Sequence, residues 1–358
     1  MTDDRNDRPA TIGDVAAAAG VAASTVSRAL NNPGRVNART RERIERIAAD
    51  LNYVPSTQAR ALSSGRTRTV GLLVPDITNP FYFDLIRGTQ HQLKASGYTQ
   101  LLVDTEESAD VEAEALDRLR TATDGVILTA SRLTDEQILA THRTRPVVTI
   151  NRNAGTVPTV VIDTPTALRQ AVDHLLSLGH RRLAYLGGPI NSFSNGLRWK
   201  TLSEEMEARP ELEVIRLGPF APTTTSGGPA VDAVLNAGAT ACIAYNDLIA
   251  IGMLERCRGR GIAVPDELSI VGCDDIFGAS FCHPPLTTCT APIERVGQVA
   301  TTMLLSQISP GLIGAPGNGG RPSRRHLTLV PTHLTIRDST GPVVRVGAAA
   351  APNAKEPA

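Results

Sequence analysis

The sequence predicts an all-α helix-turn-helix head followed by an α/β body of two doubly wound parallel sheets. Three observations indicate this: helix-period apolar residues in the first fifty positions, alternating β-rich and helical stretches from Thr69 onward, and a length of 358 residues that suits two or three domains. Strands that alternate with helices form parallel sheets covered on both faces. There are too many strands for one small sheet, so we expect two similar lobes.

The first helix of the head is predicted to begin after Thr11. Thr11 and Asp14 have the form of a capping box, and Gly20 ends the helix. The apolar residues recur at helical spacing: Ile12, Val15, Ala16 and Ala19. A second short helix follows the glycine, with a small polar and cationic outer face formed by Ser24, Thr25, Ser27 and Arg28. This pattern describes a helix-turn-helix whose second helix can enter the major groove.

A third helix is predicted over Ala38–Leu51, with Asn37 as its cap and an apolar stripe on one side. Three such helices make a small domain, residues 11–54, that can close a core. The alternative for the first two helices alone is an alanine-rich hairpin inside a larger core.

Charge is distributed unevenly along a chain whose formal net charge is zero. Residues 9–68 contain nine arginines and four acidic residues, a net charge of +5, so the rest of the chain carries −5. A basic head on an acidic body is typical of DNA binding confined to one module.

The stretch TIGDVAAAAGVAASTVSRALNNPGRVNARTRERIERIAADLNYVPSTQARALSSGRTRTVGLLVPDITNPFY resembles the amino-terminal signature of the lactose/galactose repressor family of transcription regulators. The resemblance runs from about Thr11 to Asp338. It implies a periplasmic-binding-protein-like body in which the chain crosses between lobes near Ile162, Ala291 and Arg325. The expected first lobe is then 69–162 with 292–324, and the second is 163–291 with 325–338.

Residues 55–68 predict a hinge between head and body. Ser56 or Thr57 can cap a short helix through Leu62, and a helix this short is marginal without a partner. In the family this helix orders on DNA, pairs with its twin and inserts a leucine into the minor groove; Leu62 matches that leucine and Ala59 the small residue before it. The alternative is a flexible linker.

Polar and aromatic residues that follow the predicted strands are candidates for a ligand site, because ligands of parallel sheets bind beyond the carboxyl ends of strands. The candidates are Asp76, Asn79, Phe81, Phe83, Asn151, Arg152, Arg198, Asn246, Asp247 and Asp274. An aromatic face ringed by Asn, Asp and Arg favours a carbohydrate. A nucleotide would require a glycine-rich loop, and GxGxxG is absent.

The resemblance places Arg198, Asn246 and Asp274 on positions that commonly contact effector, and Asn79, Phe81, Asn151 and Arg152 close to such positions. The alternatives are helix caps for Asp274 and Asp275, a turn for Asn246 and Asp247, and a core role for Phe81 and Phe83. The sequence departs from the family pattern at Thr201, Leu202 and Cys273, where relatives usually have a glycine or an aromatic residue.

The resemblance places Ala23 and Ser24 where relatives have their base-reading pair, with Arg28 one turn later. Arginine can bond a guanine edge, whereas alanine offers only apolar contact to a thymine methyl group. We therefore expect Ser24 and Arg28 to discriminate sequence. The residues suited to phosphate contacts are Thr25, Ser27 and Asn31, together with the backbone amides near Thr11 and Asn37.

The remaining features bound the class of protein. The arm 1–10 and the tail 339–358 are predicted to be disordered, and the tail lacks leucine heptads, which favours a homodimer. No long apolar run or signal peptide is found, so we expect a cytoplasmic protein without membrane partners. The five cysteines predict buried free thiols, with a metal site at Cys282, His283 and Cys289 as the minor alternative.

The sequence thus predicts a regulator that binds an operator in double-stranded DNA and is controlled by a small-molecule effector, with no cofactor. Two alternatives are a sugar-transport component, which would have a secretory leader and no basic head, and an α/β enzyme. No GxSxG, P-loop or HExxH motif supports the enzyme.

Overall fold

The computed structural model describes residues 8–31, 33–54, 65–309 and 326–343. The chain divides into two compact units, Met1–Thr67 and Arg68–Ala358. Within the described residues the first unit contains helices and no strand, and the second contains two six-stranded sheets, which confirms the predicted fold class.

The head contains three helices, α1 (Ile12–Ala19), α2 (Ala23–Asn31) and α3 (Ala38–Asp50). Gly20 ends α1 with a φ of 60°, a left-handed conformation that glycine adopts without strain. The buried core of the head consists of Val15, Ala16, Ala19, Val26, Ala29, Ile44 and Ala48. Four of these seven residues are alanines, which allow the helices to approach closely, and the longer polar side chains remain on the outside.

The first sheet of the body consists of six parallel strands in the order β11-β5-β4-β3-β1-β2. Their bounds are β1 (Thr69–Val74), β2 (Thr99–Asp104), β3 (Gly125–Thr129), β4 (Val147–Ile150), β5 (Thr159–Ile162) and β11 (Leu327–Val330). The helices of this lobe are α4 (Phe81–Ala95), α5 (Ala109–Leu119), α6 (Asp135–Thr144) and α11 (Ile293–Ile308). Separate apolar cores form on the two sheet faces, one with α4 and α11, the other with α5 and α6.

The second sheet has the order β12-β10-β9-β8-β6-β7 and is parallel except for the antiparallel pair of β10 and β12. Its strands are β6 (Arg182–Leu186), β7 (Glu213–Leu217), β8 (Ala241–Ala244), β9 (Ser269–Cys273), β10 (Thr287–Thr290) and β12 (His333–Thr335). Its helices are α7 (Thr164–Ser177), α8 (Phe193–Ala208), α9 (Gly227–Asn236) and α10 (Asp247–Arg260).

The chain passes between the lobes after β5, after β10 and after β11. The third crossing therefore lies between Val330 and His333, and the prediction that it lies near Arg325 was wrong. Strand β11 pairs with β5 in the first sheet, since Leu327 to Val330 stand opposite Thr159 to Ile162. Parallel pairing with β5 makes this strand an edge of the first sheet before the chain leaves the lobe.

The tail was predicted to be disordered from residue 339, but residues 339–343 pack on the second lobe. Ser339 is fully buried, and its hydroxyl donates to the carbonyl of Ile270 at 2.6 Å. The N–H of Val343 donates to the carbonyl of Leu178 at 3.0 Å. Backbone and hydroxyl bonds, which hydropathy does not reveal, hold this segment.

No helix within the described residues combines the length and apolar character needed to span a bilayer. Four of the five cysteines are buried free thiols and Cys282 is partly exposed. Among the described residues no group of three or more His, Cys, Asp or Glu side chains is arranged to hold a metal ion.

Candidate nucleic-acid interface and ligand cleft

Helix α2 packs on the head through its apolar side and presents a polar face to solvent. Val26 and Ala29 are almost completely buried, at 0% and 1% exposure. Ser24 and Arg28 are exposed on the other side of the helix, with Ala23 also exposed at its start. Thr25 and Ser27 are half-buried beside them. The predicted DNA-reading residues of α2 therefore share one accessible surface, as a reading helix requires.

Thr11 and Asn37 serve as helix caps. The Thr11 hydroxyl accepts from the N–H of Asp14 at 3.3 Å, and the N–H of Thr11 donates to the Asp14 carboxylate at 2.8 Å. Hydrogen bonds from Thr11 hold the pKa of Asp14 below its ordinary value. Asn37 accepts from the N–H of Arg39 at 3.0 Å. The amide of Thr11 already has a partner, so a phosphate would have to displace Asp14 there.

The side chain of Asn31 and both hinge candidates, Ala59 and Leu62, lie outside the described residues. Their proposed DNA contacts stay predictions.

A cleft of about 300 Å³, open solvent at its mouth included, lies where the chain crosses between the two lobes. It is lined by Phe81, Asn151, Ile162, Thr164, Arg198, Asp274, Cys289, Ala291 and Thr332. Four of these were predicted from the sequence: Phe81, Asn151, Arg198 and Asp274. They come from both lobes, so a bound molecule would contact both.

Arg198 is the buried cation of the cleft, with 6% of the residue exposed. One terminal nitrogen donates to the carbonyl of Tyr245, and the other lies 3.7 Å from Oδ1 of Asp274. Its guanidinium carbon is 4.9 Å from the centre of the Tyr245 ring. The Nε–H has no hydrogen-bond partner within the described residues, although it is buried. An unpaired buried donor costs free energy, and a ligand oxygen could satisfy it.

Asp274 follows β9 with a φ of 118°, a backbone conformation that non-glycine residues rarely adopt. Burial raises the pKa of Asp274 well above its ordinary value, while the charge of Arg198 acts in the opposite direction. The nearby buried residue Asp247 is occupied elsewhere: it accepts from Thr288 at 2.6 Å and from the N–H of Ile276 at 2.9 Å. Burial raises the pKa of Asp247 to about 6. Asp274 is thus the carboxyl group available to a ligand.

Asn151 and Phe81 form the first lobe's side of the cleft. Asn151 has a φ of 51°, and its side-chain oxygen accepts from the N–H of Ile162 at 3.0 Å. Phe81 packs edge-on against Tyr82, with ring centroids 5.0 Å apart and planes at 85°. Asn151 therefore holds the start of the first crossing, and its amide nitrogen stays available for a ligand.

The other candidates do not line the cleft. Asp76 accepts from the amide and hydroxyl of Thr78, and Asn79 accepts from the N–H of Phe81 at the start of α4. Arg152 pairs with Asp135 at 2.7 Å and donates to the carbonyl of Leu133.

Two further candidates also serve other contacts. Asn246 caps α10 through Ile249 and donates to the carbonyl of Pro222 at 3.1 Å. Phe83 is 45% exposed and stacks on Phe277, with centroids 6.4 Å apart.

Sequence reasoning did not assign the crossing residues that line the cleft to the ligand site, namely Ile162, Thr164, Ala291 and Thr332. It also did not single out Arg132. Arg132 is a buried cation that pairs with Glu107, and its Nη1 has no partner within the described residues. The Thr129 hydroxyl at the end of β3 is also buried without a partner there. Arg132 follows β3 as the predicted residues follow their strands, and that signal could have found it.

The first and third crossings are tied to each other beside the cleft. The N–H of Asp163 donates to the carbonyl of Val330 at 2.9 Å. The hydroxyl of Thr332 donates to the carbonyl of Asp163 at 2.6 Å and accepts from the N–H of Ala167 at 3.2 Å. Short hydrogen bonds therefore join the first and third passages between the lobes.

The family comparisons agree with both halves of this architecture. A model of the bacterial regulatory proteins of the lacI family matches residues 11–56, and a model of the periplasmic binding protein-like domain matches residues 172–340. The HTH-type transcriptional repressor CytR of Escherichia coli (strain K12) is 33% identical over 345 residues, which cover 94% of this chain and 98% of that protein.

Solved structures give the same result. The Lac repressor dimer bound to operator and the anti-inducer ONPF matches with a TM-score of 0.80 and 25% identity, over 93% of this chain and 100% of that one. The complex of the transcriptional regulator CelR with cellobiose matches with a TM-score of 0.64 and 29% identity, over 92% and 99% of the two chains. With its exposed α2 face and its two-lobed body, the chain therefore belongs to the lacI family of bacterial regulatory proteins and is a DNA-binding transcriptional regulator.

Proposed function

We propose that the protein is a homodimeric repressor whose affinity for a pseudopalindromic operator is controlled by a small molecule, a carbohydrate, bound between the lobes. The observation that carries the proposal is the presence in one chain of an exposed polar helix α2 and a cleft in which Arg198 and Asp274 face residues of the other lobe. A ligand that binds one lobe arrangement better than another shifts the equilibrium between them.

The head would read DNA through α2. Arg28 and Ser24 are exposed and can reach base edges, Ala23 can contact a thymine methyl group, and Thr25, Ser27 and Asn31 are suited to phosphates. Exposed Arg39, Arg43 and Arg46 of α3 add positive charge to the same small domain. Leu62 and Ala59 would act at the minor groove, where an apolar wedge kinks the duplex.

The cleft would hold the hydroxyl groups of a sugar. Asp274 can accept, the free Nε–H of Arg198 and the amide nitrogen of Asn151 can donate, and the Phe81 ring offers an apolar face. The related regulator CelR is bound to cellobiose, and the related Lac repressor dimer is bound to operator and to ONPF. Regulation, not catalysis, would be the role of the chain, and binding to chromosomal DNA would place it in the cytoplasm.

The DNA-reading role is tested by fluorescence anisotropy with an operator selected from random duplexes. Loss of a bidentate base contact costs about 1–3 kcal/mol. Arg28→Ala should therefore weaken operator binding by that amount and relax specificity. Arg46→Ala is the matched control, because this exposed arginine lies on α3; it should lower affinity equally for all sequences. Equal and sequence-independent effects of the two variants would overturn the assignment.

The effector is tested by a thermal-shift screen of the full chain against a panel of mono- and disaccharides. A ligand that binds only the folded state adds RT ln(1 + [L]/Kd) to the free energy of unfolding and therefore raises Tm. At least one sugar should do so, and the same sugar should change operator affinity. A Tm that rises only with non-sugar metabolites would refute the carbohydrate class.

A further inference from the structure

Two cysteines lie side by side in the second lobe, and one of them, Cys289, lines the cleft. Cys273 ends β9 and Cys289 lies in β10, and the two residues stand opposite each other in the register of this parallel pair. Register partners point to the same face of a sheet, and both belong to the apolar core between the second sheet and helices α7 and α8. The side chains of the two cysteines are therefore neighbours on one face of the sheet.

The spacing of the strands suits a covalent link. Neighbouring strands lie about 4.7–4.9 Å apart. Disulfide-bonded cysteines have Cα atoms roughly 4.4–6.8 Å apart. The pair can therefore be joined with small local movements, without separating β9 from β10.

The surroundings favour reactivity at this pair. Cys289 lines the cleft, so a small molecule that enters the cleft can reach its sulfur. The hydrogen bond from Cys289 and the charge of Arg198 together lower the pKa of Cys273, although burial opposes them. The same hydrogen bond and burial raise the pKa of Cys289. A cation beside a thiol favours the thiolate, which is the nucleophile in thiol chemistry.

We propose that Cys273 and Cys289 form a redox-sensitive modification site, which hydrogen peroxide entering the cleft converts to an intramolecular disulfide. In the first step Cys289 passes its proton to the neighbouring Cys273 thiolate, and the sulfur of Cys289 forms a bond to one peroxide oxygen; the O–O bond breaks, and the released hydroxide takes the proton from Cys273 to give water. In the second step the Cys273 thiolate attacks the sulfenic sulfur of Cys289; the S–S bond forms, the S–O bond breaks, and hydroxide departs. One thiol, one thiolate and one peroxide thus give one disulfide, one water molecule and one hydroxide ion.

The link would change the ligand site. The disulfide removes the free thiol of Cys289 from the lining of the cleft. It also removes the thiolate character of Cys273, which is subject to the charge of Arg198 and directly precedes Asp274 in the chain. We expect weaker effector binding by the oxidised protein. This consequence, unlike the disulfide itself, rests on the proposed function.

The disulfide is tested on the full-length protein without DNA or effector. The protein is treated with hydrogen peroxide, the remaining thiols are alkylated under denaturing conditions, and the peptides are mapped by mass spectrometry. The expected result is a loss of two of the five free thiols and a peptide pair linked through Cys273 and Cys289. Cleavage after Phe277 separates the two cysteines onto different peptides.

Cys282→Ser is the matched control, since Cys282 lies between the two along the chain and is partly exposed. Its sulfur lies 3.4 Å from the carbonyl oxygens of Ala279 and Pro284, to either of which a hydroxyl can also donate. The link should persist in Cys282→Ser and disappear in Cys289→Ser. Oxidation confined to Cys282, or a link that needs Cys282, would overturn the proposal. If Cys289→Ser fails to fold, peptide mapping of the wild-type protein and of Cys282→Ser still distinguishes these outcomes.

Loss of the link and loss of the proposed function are distinguishable. A linked protein whose effector affinity is unchanged refutes only the consequence for the ligand site. A protein that binds no effector in either redox state, but forms the link, leaves the modification site in place and refutes the proposed function.

Discussion

Gly88 of α4 lies directly against the backbone of Glu294 in α11: a Cβ atom at Gly88 would stand 2.1 Å from the Glu294 carbonyl oxygen. The contact is reciprocal, because a Cβ at Gly297 would stand 2.6 Å from the Leu85 carbonyl oxygen. Real side chains do not tolerate such distances, so the two helices can pack this closely only with glycine on both sides. The first lobe depends on this packing.

Gly88→Ala should therefore destabilise the body, because the added methyl group forces α4 and α11 apart. Overpacking of this kind costs roughly 1–3 kcal/mol. The matched control is Gly196→Ala in α8, where no atom lies within 4 Å of the added Cβ. Alanine should be neutral or stabilise there by about 0.5–1 kcal/mol, because glycine is a poor helix former. Urea unfolding of both variants measures the difference, and equal stability would contradict the role of the contact.

The second prediction concerns pH and His180, which is 2% exposed. Its Nε2 lies 3.0 Å from the carbonyl oxygen of Gly341, which can only accept, so Nε2 carries the proton and Nδ1 accepts from the Thr240 hydroxyl at 2.8 Å. Burial lowers the pKa of His180, with smaller contributions from His174 and Arg181, whereas the carbonyl of Gly341 raises it. A folded pKa below the unfolded value of 6.5 means that the unfolded chain binds the proton more readily.

The stabilisation from neutral His180 is thus complete above pH 6.5 and is lost as the pH falls toward the lower folded pKa. We expect the free energy of unfolding of the wild type to fall more steeply between pH 7.5 and 5.5 than that of His180→Gln. The two slopes have to be compared because the raised pKa values of Asp247 and Asp274 increase the free energy of unfolding as the pH falls, which is opposite to the effect of His180. Parallel slopes would show that His180 does not contribute.

The third prediction separates ligand binding from stability at Asp274. Asp274→Asn should weaken effector binding by about 1.5–3 kcal/mol, the typical contribution of a hydrogen bond to a charged group. Folding stability should change less than ligand affinity, because relief of the buried carboxylate offsets the loss of the 3.7 Å ion pair with Arg198. Asp266→Asn, at an exposed site, is the control and should change neither quantity. Calorimetry with the sugar found by thermal shift gives the affinity, and wild-type affinity in Asp274→Asn would contradict the role.

The fourth prediction concerns Asn246, which the sequence assigns to the effector and which in the structure caps α10. Asn246→Ala should lose about 1 kcal/mol of stability, because the N–H of Ile249 loses its acceptor. Asn246→Ser should retain most of that stability, since serine also caps helices. If both variants keep the affinity of the wild type for effector, Asn246 acts through the cap. A large loss of affinity in the serine variant would instead support direct contact.

The fold class could be predicted because its signals are local. The glycine after α1, the helix period of the head and the buried strands of the body are each readable within about ten residues. Strands β10, β11 and β12 were not predicted, since TTCT is polar and the last two strands pair with residues more than forty positions away. The position of the third crossing depended on that long-range pairing.

The ligand site was predicted in part for a related reason. A polar residue after a strand can face a ligand or cap the next helix, and the sequence pattern is the same in both cases. Arg198 and Asp274 line the cleft, whereas Asn79 accepts from the N–H of Phe81 in the turn before α4 and Asn246 caps α10. Only the packing around each side chain decides between these uses.

The hydrogen bonds that join Asp163 to Val330 and Thr332 restrict how the two lobes can move. The first and third passages are fastened side by side, so sliding or twisting of one lobe past the other would break these bonds. A swing about the crossings would keep them. A small change of angle there grows with distance, so that the ligand proposed for the cleft would produce its largest displacement at the far ends of the body.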